Sequence, residues 1–269
     1  MKYQRQYINL RGQKIWASQA KPLLPLLPLM GANDSVVLLH GGMSQSEGFD
    51  GRLAPSVKGF HVHSYDRAGH GRSPDQPGSF HFEFQAAEAI NFLEDVVKKP
   101  AHLIGLSDGG IIALLVAIKR PDLVKTITVI GANYHFKTGT PQIKAWTPNE
   151  AEIAKYSHFS PDGLETLVKK IKKMVKIWAS EPNMTKRDLK KIKCPALVIA
   201  GDDDVYPISH TNEIYESIEN SRLAIIPGAS HLIDKDQPAL LNSVIRGFLL
   251  NHEYPTTLMP VRRKKSEAL

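Results

Sequence analysis

A chain of 269 residues with 42% apolar and 23% charged residues can bury an extensive core, and its composition excludes wholesale disorder and fibrous repeats. One cysteine, Cys194, excludes an intrachain disulfide and a cysteine-based metal cluster, and no apolar stretch reaches the roughly 20 residues of a membrane-spanning helix. The net charge of +7 raises the question of nucleic acid, but ten Lys or Arg against three Asp or Glu between Leu164 and Lys193 match the whole excess; that segment has one aromatic, Trp178, and no nucleic-acid motif, so it reads as a solvated basic face.

In chain order, the polar opening "MKYQRQYINLRGQKIW" has no apolar signal-peptide core, which makes a cytoplasmic location the expectation. Within it and just beyond, "YINL" and "QKIWAS" read as a hairpin turned at "RG". The proline-rich "KPLLPLLPLMG", Lys21 to Gly31, is too short and too interrupted to span a bilayer; it reads either as packing on a cap or as an exposed patch for a partner or membrane surface. Short apolar runs follow at "VVLLHGG", "FHVHSYD", "AHLIGLS", "TITVIGAN", "ALVIAGDD" and "LAIIPGAS". Helical spacing separates them over Phe80 to Val97, Ile111 to Lys119, His210 to Ile218 and Pro238 to Leu250. Apolar strands alternating with helices predict an α/β fold with a mostly parallel sheet covered on both faces. Cys194 starts one such strand and reads as a packed small residue rather than a reactive thiol.

The alternation breaks between His135 and Lys191. There Leu164, Leu167, Val168, Ile171, Met174, Val175 and Trp178 recur at helical steps, with Lys169, Lys172, Lys173 and Lys176 opposite. The simplest reading is a small helical cap at 135–191 inserted into a core of 1–134 and 192–269; the other is a helix that only packs against that core.

"GLSDGG", Gly105 to Gly110, joins a predicted strand to a predicted helix and matches G-x-S-x-G. A sharp turn there projects the Ser107 hydroxyl from the sheet edge, over a helix N-terminus that favours an oxyanion. A serine hydroxyl needs a histidine to accept its proton, and the histidine needs a carboxylate to fix its tautomer. His231 follows the last predicted strand, where ligand-facing residues gather in open α/β sheets. "GDDD" offers three carboxylates at another strand end; spacing alone does not separate them, and Asp204 is chosen. The order Ser107, Asp204, His231 suits this elbow arrangement. For the oxyanion, the backbone N–H of Asp108 needs a second donor, for which Gly42 is the first candidate and Met43 the second.

With "HGG" (His40 to Gly42), "DRAGHGRS" (Asp66 to Ser73), "GLSDGG", "GDDD" and "GASH" (Gly228 to His231) in order, the chain resembles the α/β-hydrolase superfamily over nearly its full length. The resemblance supports Asp204, makes Asp66 and Arg67 structural, and implies acyl transfer through an acyl-enzyme on a small carboxylic ester, without cofactor or metal. "SDGG" is similar to the elbow of valacyclovir-hydrolase-like (biphenyl-hydrolase-like) enzymes, which implies that Asp108 receives the ammonium of an amino-acid ester; otherwise its carboxylate merely favours a helix N-terminus. A cofactor-free haloperoxidase or perhydrolase and a non-catalytic binding protein on this fold remain open alternatives. Acyl and alcohol specificity and oligomeric state do not follow from these residues.

Overall fold

In the computed structural model, residues 2–22, 34–138, 146–253 and 257–259 are described. Two strands, β1 (Gln4–Leu10) and β2 (Gln13–Ala20), form the predicted hairpin, with Arg11 and Gly12 both at positive φ in the turn. Six more follow: β3 (Ser35–Leu39), β4 (His61–Asp66), β5 (Ala101–Leu106), β6 (Val124–Ile130), β7 (Ala196–Asp203) and β8 (Ser221–Ser230). Their order across the sheet is β1-β2-β4-β3-β5-β6-β7-β8, parallel from β4 to β8 and antiparallel at the β1 and β2 edge. Every residue of β3 and β5 is buried, which is why both read as unbroken apolar runs, whereas β1 alternates towards solvent.

Helices cover both faces. On one side, α2 (Phe82–Phe92) and α3 (Asp108–Lys119) pack on a core that includes Leu103, Ile112 and Val129. On the other, α1 (Ser46–Leu53) and α9 (Pro238–Leu250) enclose Val36, Ile104 and Phe248. The alternation of side chains across each strand sends neighbouring residues such as Leu103 and Ile104 to opposite cores. Cys194 is half-buried at the foot of β7, and burial pushes its thiol up to about 12.

Between β6 and β7 lie α4 (Glu150–Phe159), α5 (Leu167–Trp178) and the short α6 (Lys186–Leu189). The buried stripe is narrower than the spacing predicts: in α5 Leu167, Ile171, Met174 and Ile177 are buried, but Val168 is 51% exposed, and Leu164, which falls in a separate turn before the helix, is 47% exposed. Lys170 departs from the expected solvated basic face, because its buried ammonium bonds the Asp162 carboxylate at 2.6 Å and the Gly69 carbonyl at 3.0 Å. Most of the proline-rich segment, from residue 23 to 31, and residues 139–145 of the expected cap lie outside the described residues. After β7 and β8 come α7 (Ile208–Ser217) and the single turn α8 (Ile233–Asp236). No described helix is long and apolar enough to cross a membrane.

Candidate active site

The carboxyl ends of β3, β5, β7 and β8 meet at one place. Ser107 sits between β5 and α3 with φ 54° and ψ −118°, a conformation that costs a non-glycine residue energy. The turn survives because its flanks lack side chains: a methyl group at Gly105 would strike the Gly109 carbonyl, and one at Gly109 would strike the Leu39 carbonyl at the end of β3. The Ser107 N–H is tied to the Ile130 carbonyl at 2.8 Å, and the Ser107 carbonyl caps the first turn of α3 through Gly110 and Ile111.

His231 follows β8 and places Nε2 3.0 Å from Ser107 Oγ. Its Nδ1 lies 2.8 Å from Asp204 Oδ1, which also accepts the Tyr206 N–H at 3.2 Å. The Tyr206 ring stands edge-on to the imidazole, 5.6 Å away. The three aspartates have different surroundings. Asp202 accepts the Ala229 N–H at 3.1 Å, Asp203 is exposed, and the Asp204 side chain is 1% exposed against the histidine. A buried carboxylate in that position orients the ring and favours the tautomer with its proton on Nδ1.

Gly42 and Met43 lie on the turn after β3, and Met43 adopts φ 48°. Behind that turn, the buried Arg67 guanidinium donates to the carbonyls of His40 and Gly41, the latter at 3.0 Å. Among the described residues the N–H groups of Gly42, Met43 and Asp108 make no hydrogen bond, so all three candidate oxyanion donors are available. Between the two candidates from the turn, the geometry makes no choice.

Asp108 has surroundings that neither sequence reading anticipates. Its side chain is buried: Oδ1 accepts the Trp178 indole N–H at 3.0 Å, and Oδ2 has no hydrogen-bond partner. A methyl group at Gly42 would lie 2.5 Å from Oδ2 and 2.7 Å from the Trp178 ring. The elbow, the turn after β3 and the end of α5 therefore converge on one carboxyl group. Burial pushes its pKa above the usual carboxylate range, while the charge of Arg67, the Trp178 N–H and His231 oppose that rise. Trp178 was legible as the end of an apolar stripe, but its polar N–H partner was not.

A cavity of about 630 Å³ opens beside Gly42 and Met43. Its other walls come from α4, α5, α8 and Trp146, and they mix Tyr156, Phe159 and Leu232 with Lys155 and Lys235. No described group of three His, Cys, Asp or Glu side chains is placed to hold a metal ion.

A mostly parallel eight-stranded sheet, helices on both faces and a serine on a strained strand-to-helix turn define an α/β-hydrolase fold. The model of the alpha/beta hydrolase family matches residues 36–244, and the chain belongs to that family. It is 30% identical over 223 residues to serine hydrolase BPHL of Homo sapiens, a match covering 75% of this chain and 74% of the relative. It is also 26% identical to (E)-2-((N-methylformamido)methylene)succinate hydrolase of Acinetobacter baylyi, covering 81% and 91% of the two chains. Among solved structures, a serine hydrolase involved in carbazole degradation superposes with a TM-score of 0.73 at 19% identity, over 92% of this chain and 99% of that one. That last likeness concerns the fold.

Proposed function

We propose that this protein is a serine hydrolase that cleaves a small carboxylic ester through an acyl-enzyme. The observation that carries this reading is the continuous contact from Ser107 Oγ through His231 to Asp204, at 3.0 and 2.8 Å. Ser107 Oγ attacks the ester carbonyl as His231 Nε2 takes its proton. The tetrahedral oxyanion is held by the Asp108 N–H and by the N–H of Gly42 or Met43. His231 then returns the proton to the departing alcohol as the ester C–O bond breaks, leaving an acyl group on Ser107. Water, deprotonated by His231, attacks that acyl group, and Ser107 leaves with the proton. Asp204 holds the ring and stabilises the imidazolium in both halves. In this reading 135–191 forms a cap on a core of 1–134 and 192–269, supported by the contributions of α4 and α5 to the cavity wall. The test is labelling by a fluorophosphonate probe together with ester turnover: both are expected in the native chain and neither in Ser107→Ala. A probe that still labels the alanine variant would sink the assignment.

A second, narrower reading has Asp108 receive the ammonium of an α-amino ester, and its unpartnered buried Oδ2 favours it. An ammonium there would supply the missing donor and neutralise a charge beside the developing oxyanion. The expected outcome is a higher kcat/KM for an α-amino ester than for its deaminated analogue. Equal values would remove the role.

A further inference from the structure

The cavity beside Met43 carries two lysine ammonium groups on its wall that form no ion pair among the described residues. Lys155 projects from α4 and Lys235 from α8 into the same space, and neither makes a hydrogen bond or ion pair among the described residues. Among the described residues, Lys125, Lys170, Lys173, Lys186 and Lys191 each hold a carboxylate, whereas Lys169, Lys172 and Lys176 are unpaired on the exposed side of α5; Lys155 and Lys235 differ from both groups in lining one cavity without an ion pair. The carboxylates near the two free ammonium groups are committed elsewhere. Glu152, which also lines the cavity, accepts the Asn149 N–H at 2.9 Å in the capping box of α4. Asp234 holds Arg52, Asp236 takes the Ser230 N–H and hydroxyl at 2.8 and 2.5 Å, and the buried Asp66 accepts from Ser46 and Arg72.

Three cations therefore crowd this side. Lys155 is exposed as a residue, but partial loss of water around its ammonium, and then the like charges of Lys235 and Arg52, hold it below the usual lysine range, while Asp66 and Glu152 pull it the other way. An anion entering the cavity would meet two unpaired donors and relieve the repulsion between them. Tyr156, Phe159, Leu167 and Ile171 line the same space and offer apolar surface to methylene groups.

We propose that this cavity selects substrates carrying a carboxylate remote from the scissile carbonyl, with Lys155 and Lys235 as its counter-ions and the apolar wall receiving the chain between. The chemistry in this proposal rests on the serine hydrolase reading; the anion site itself does not.

Two pairs of esters test it, each an acid and its neutral amide isostere. Ethyl hydrogen glutarate and ethyl glutaramate place the charge on the acyl side, whereas 4-acetoxybutanoate and 4-acetoxybutanamide place it on the alcohol side. In the native chain the acid of at least one pair is expected to exceed its amide by about tenfold in kcat/KM, mainly through KM, with the ratio falling as salt rises. The ratio is expected to fall to about one in Lys155→Met/Lys235→Met and to persist in Lys172→Met, an exposed position on α5. Calorimetry on full-length Ser107→Ala then reads the same preference without turnover. Equal kcat/KM within both pairs, or a preference that survives the double substitution, would overturn the inference while leaving the hydrolase assignment intact. Lysine-dependent binding of the acids with no turnover and no labelling of Ser107 would do the reverse. A thermal melt of each variant separates these outcomes from misfolding.

Discussion

The corner holding Ser107, His231 and Asp204 and the wall that α4 and α8 give to the cavity beside Gly42 and Met43 are held in opposite ways. In the corner, main chain fixes each group: strand ends deliver the side chains, and a buried guanidinium secures the turn that carries the candidate oxyanion donors. On the wall, Lys155 and Lys235 are exposed and have no partner among the described residues, so their positions answer to whatever enters. The contrast teaches that preorganisation serves the bond being broken, whose charges appear at fixed places, whereas recognition of a remote group can be left to long side chains at little structural cost.

The sharpest way to break this comparison is at the corner itself. Ser107→Ala is expected to reduce ester turnover by roughly ten-thousandfold or more, with the melting temperature nearly unchanged. Asp204→Asn is expected to cost about a thousandfold or more in kcat, because an asparagine favours the wrong imidazole tautomer, whereas Asp203→Asn should change it less than about twofold. Steady-state kinetics of the two variants side by side checks the choice among three adjacent carboxylates. Gly42→Ala is a smaller intervention at the meeting point of the two regions. Its methyl group would force Asp108 or Trp178 to shift, and kcat should fall by about tenfold to a hundredfold as the turn moves.

The smallest expected effect concerns the support behind the corner. Glu88 is buried, accepts the Ala68 N–H at 3.2 Å, and is pushed up to about 7 by burial. A raised folded-state pKa means that the folded protein holds this proton more tightly than the unfolded chain does. The associated stability is complete below the unfolded value of 4.5 and is lost as pH rises through about 7. Asp50, also raised to about 7, adds in the same direction. Five histidines, His40, His63, His70, His102 and His210, are held below their usual range by burial and act in the opposite sense, so the contribution of Glu88 is read as a difference between chains. In denaturant unfolding at pH 5.5 and 8.5, the change in stability from the lower to the higher pH should be more favourable in Glu88→Gln than in the native chain by roughly 1 to 3 kcal/mol. An unchanged slope would mean that Glu88 does not carry the effect.

How much of this was legible in the sequence follows the same division. The strands were visible because burial on both faces makes them continuously apolar, and α9 was readable from Pro238 to Leu250 for a related reason. The helix α1, "SEGFDGRL", was not read, since two glycines and alternating charges leave no clear stripe. Nor was α4, which has no buried residue and announces itself only through its Asn149 and Glu152 capping box. Ser107 and His231 stood out because an elbow and a strand-end turn have local signatures. The contacts of Arg67 with two carbonyls and of Trp178 with Asp108 join residues 26 or more positions apart, and no local pattern encodes them. Lys155 and Lys235 look like any surface lysines until the fold brings α4 and α8 to one cavity.

The close approach of Gly109 to the end of β3 has a consequence for how such a chain can change over generations. Because backbone lies against backbone there, even a single methyl group is excluded, and that join is closed to gradual variation. The residues on α4 and α8 meet no such barrier. A descendant could exchange lysine for leucine or glutamate at these positions one substitution at a time, acquiring a new diet while inheriting the bond-breaking apparatus untouched.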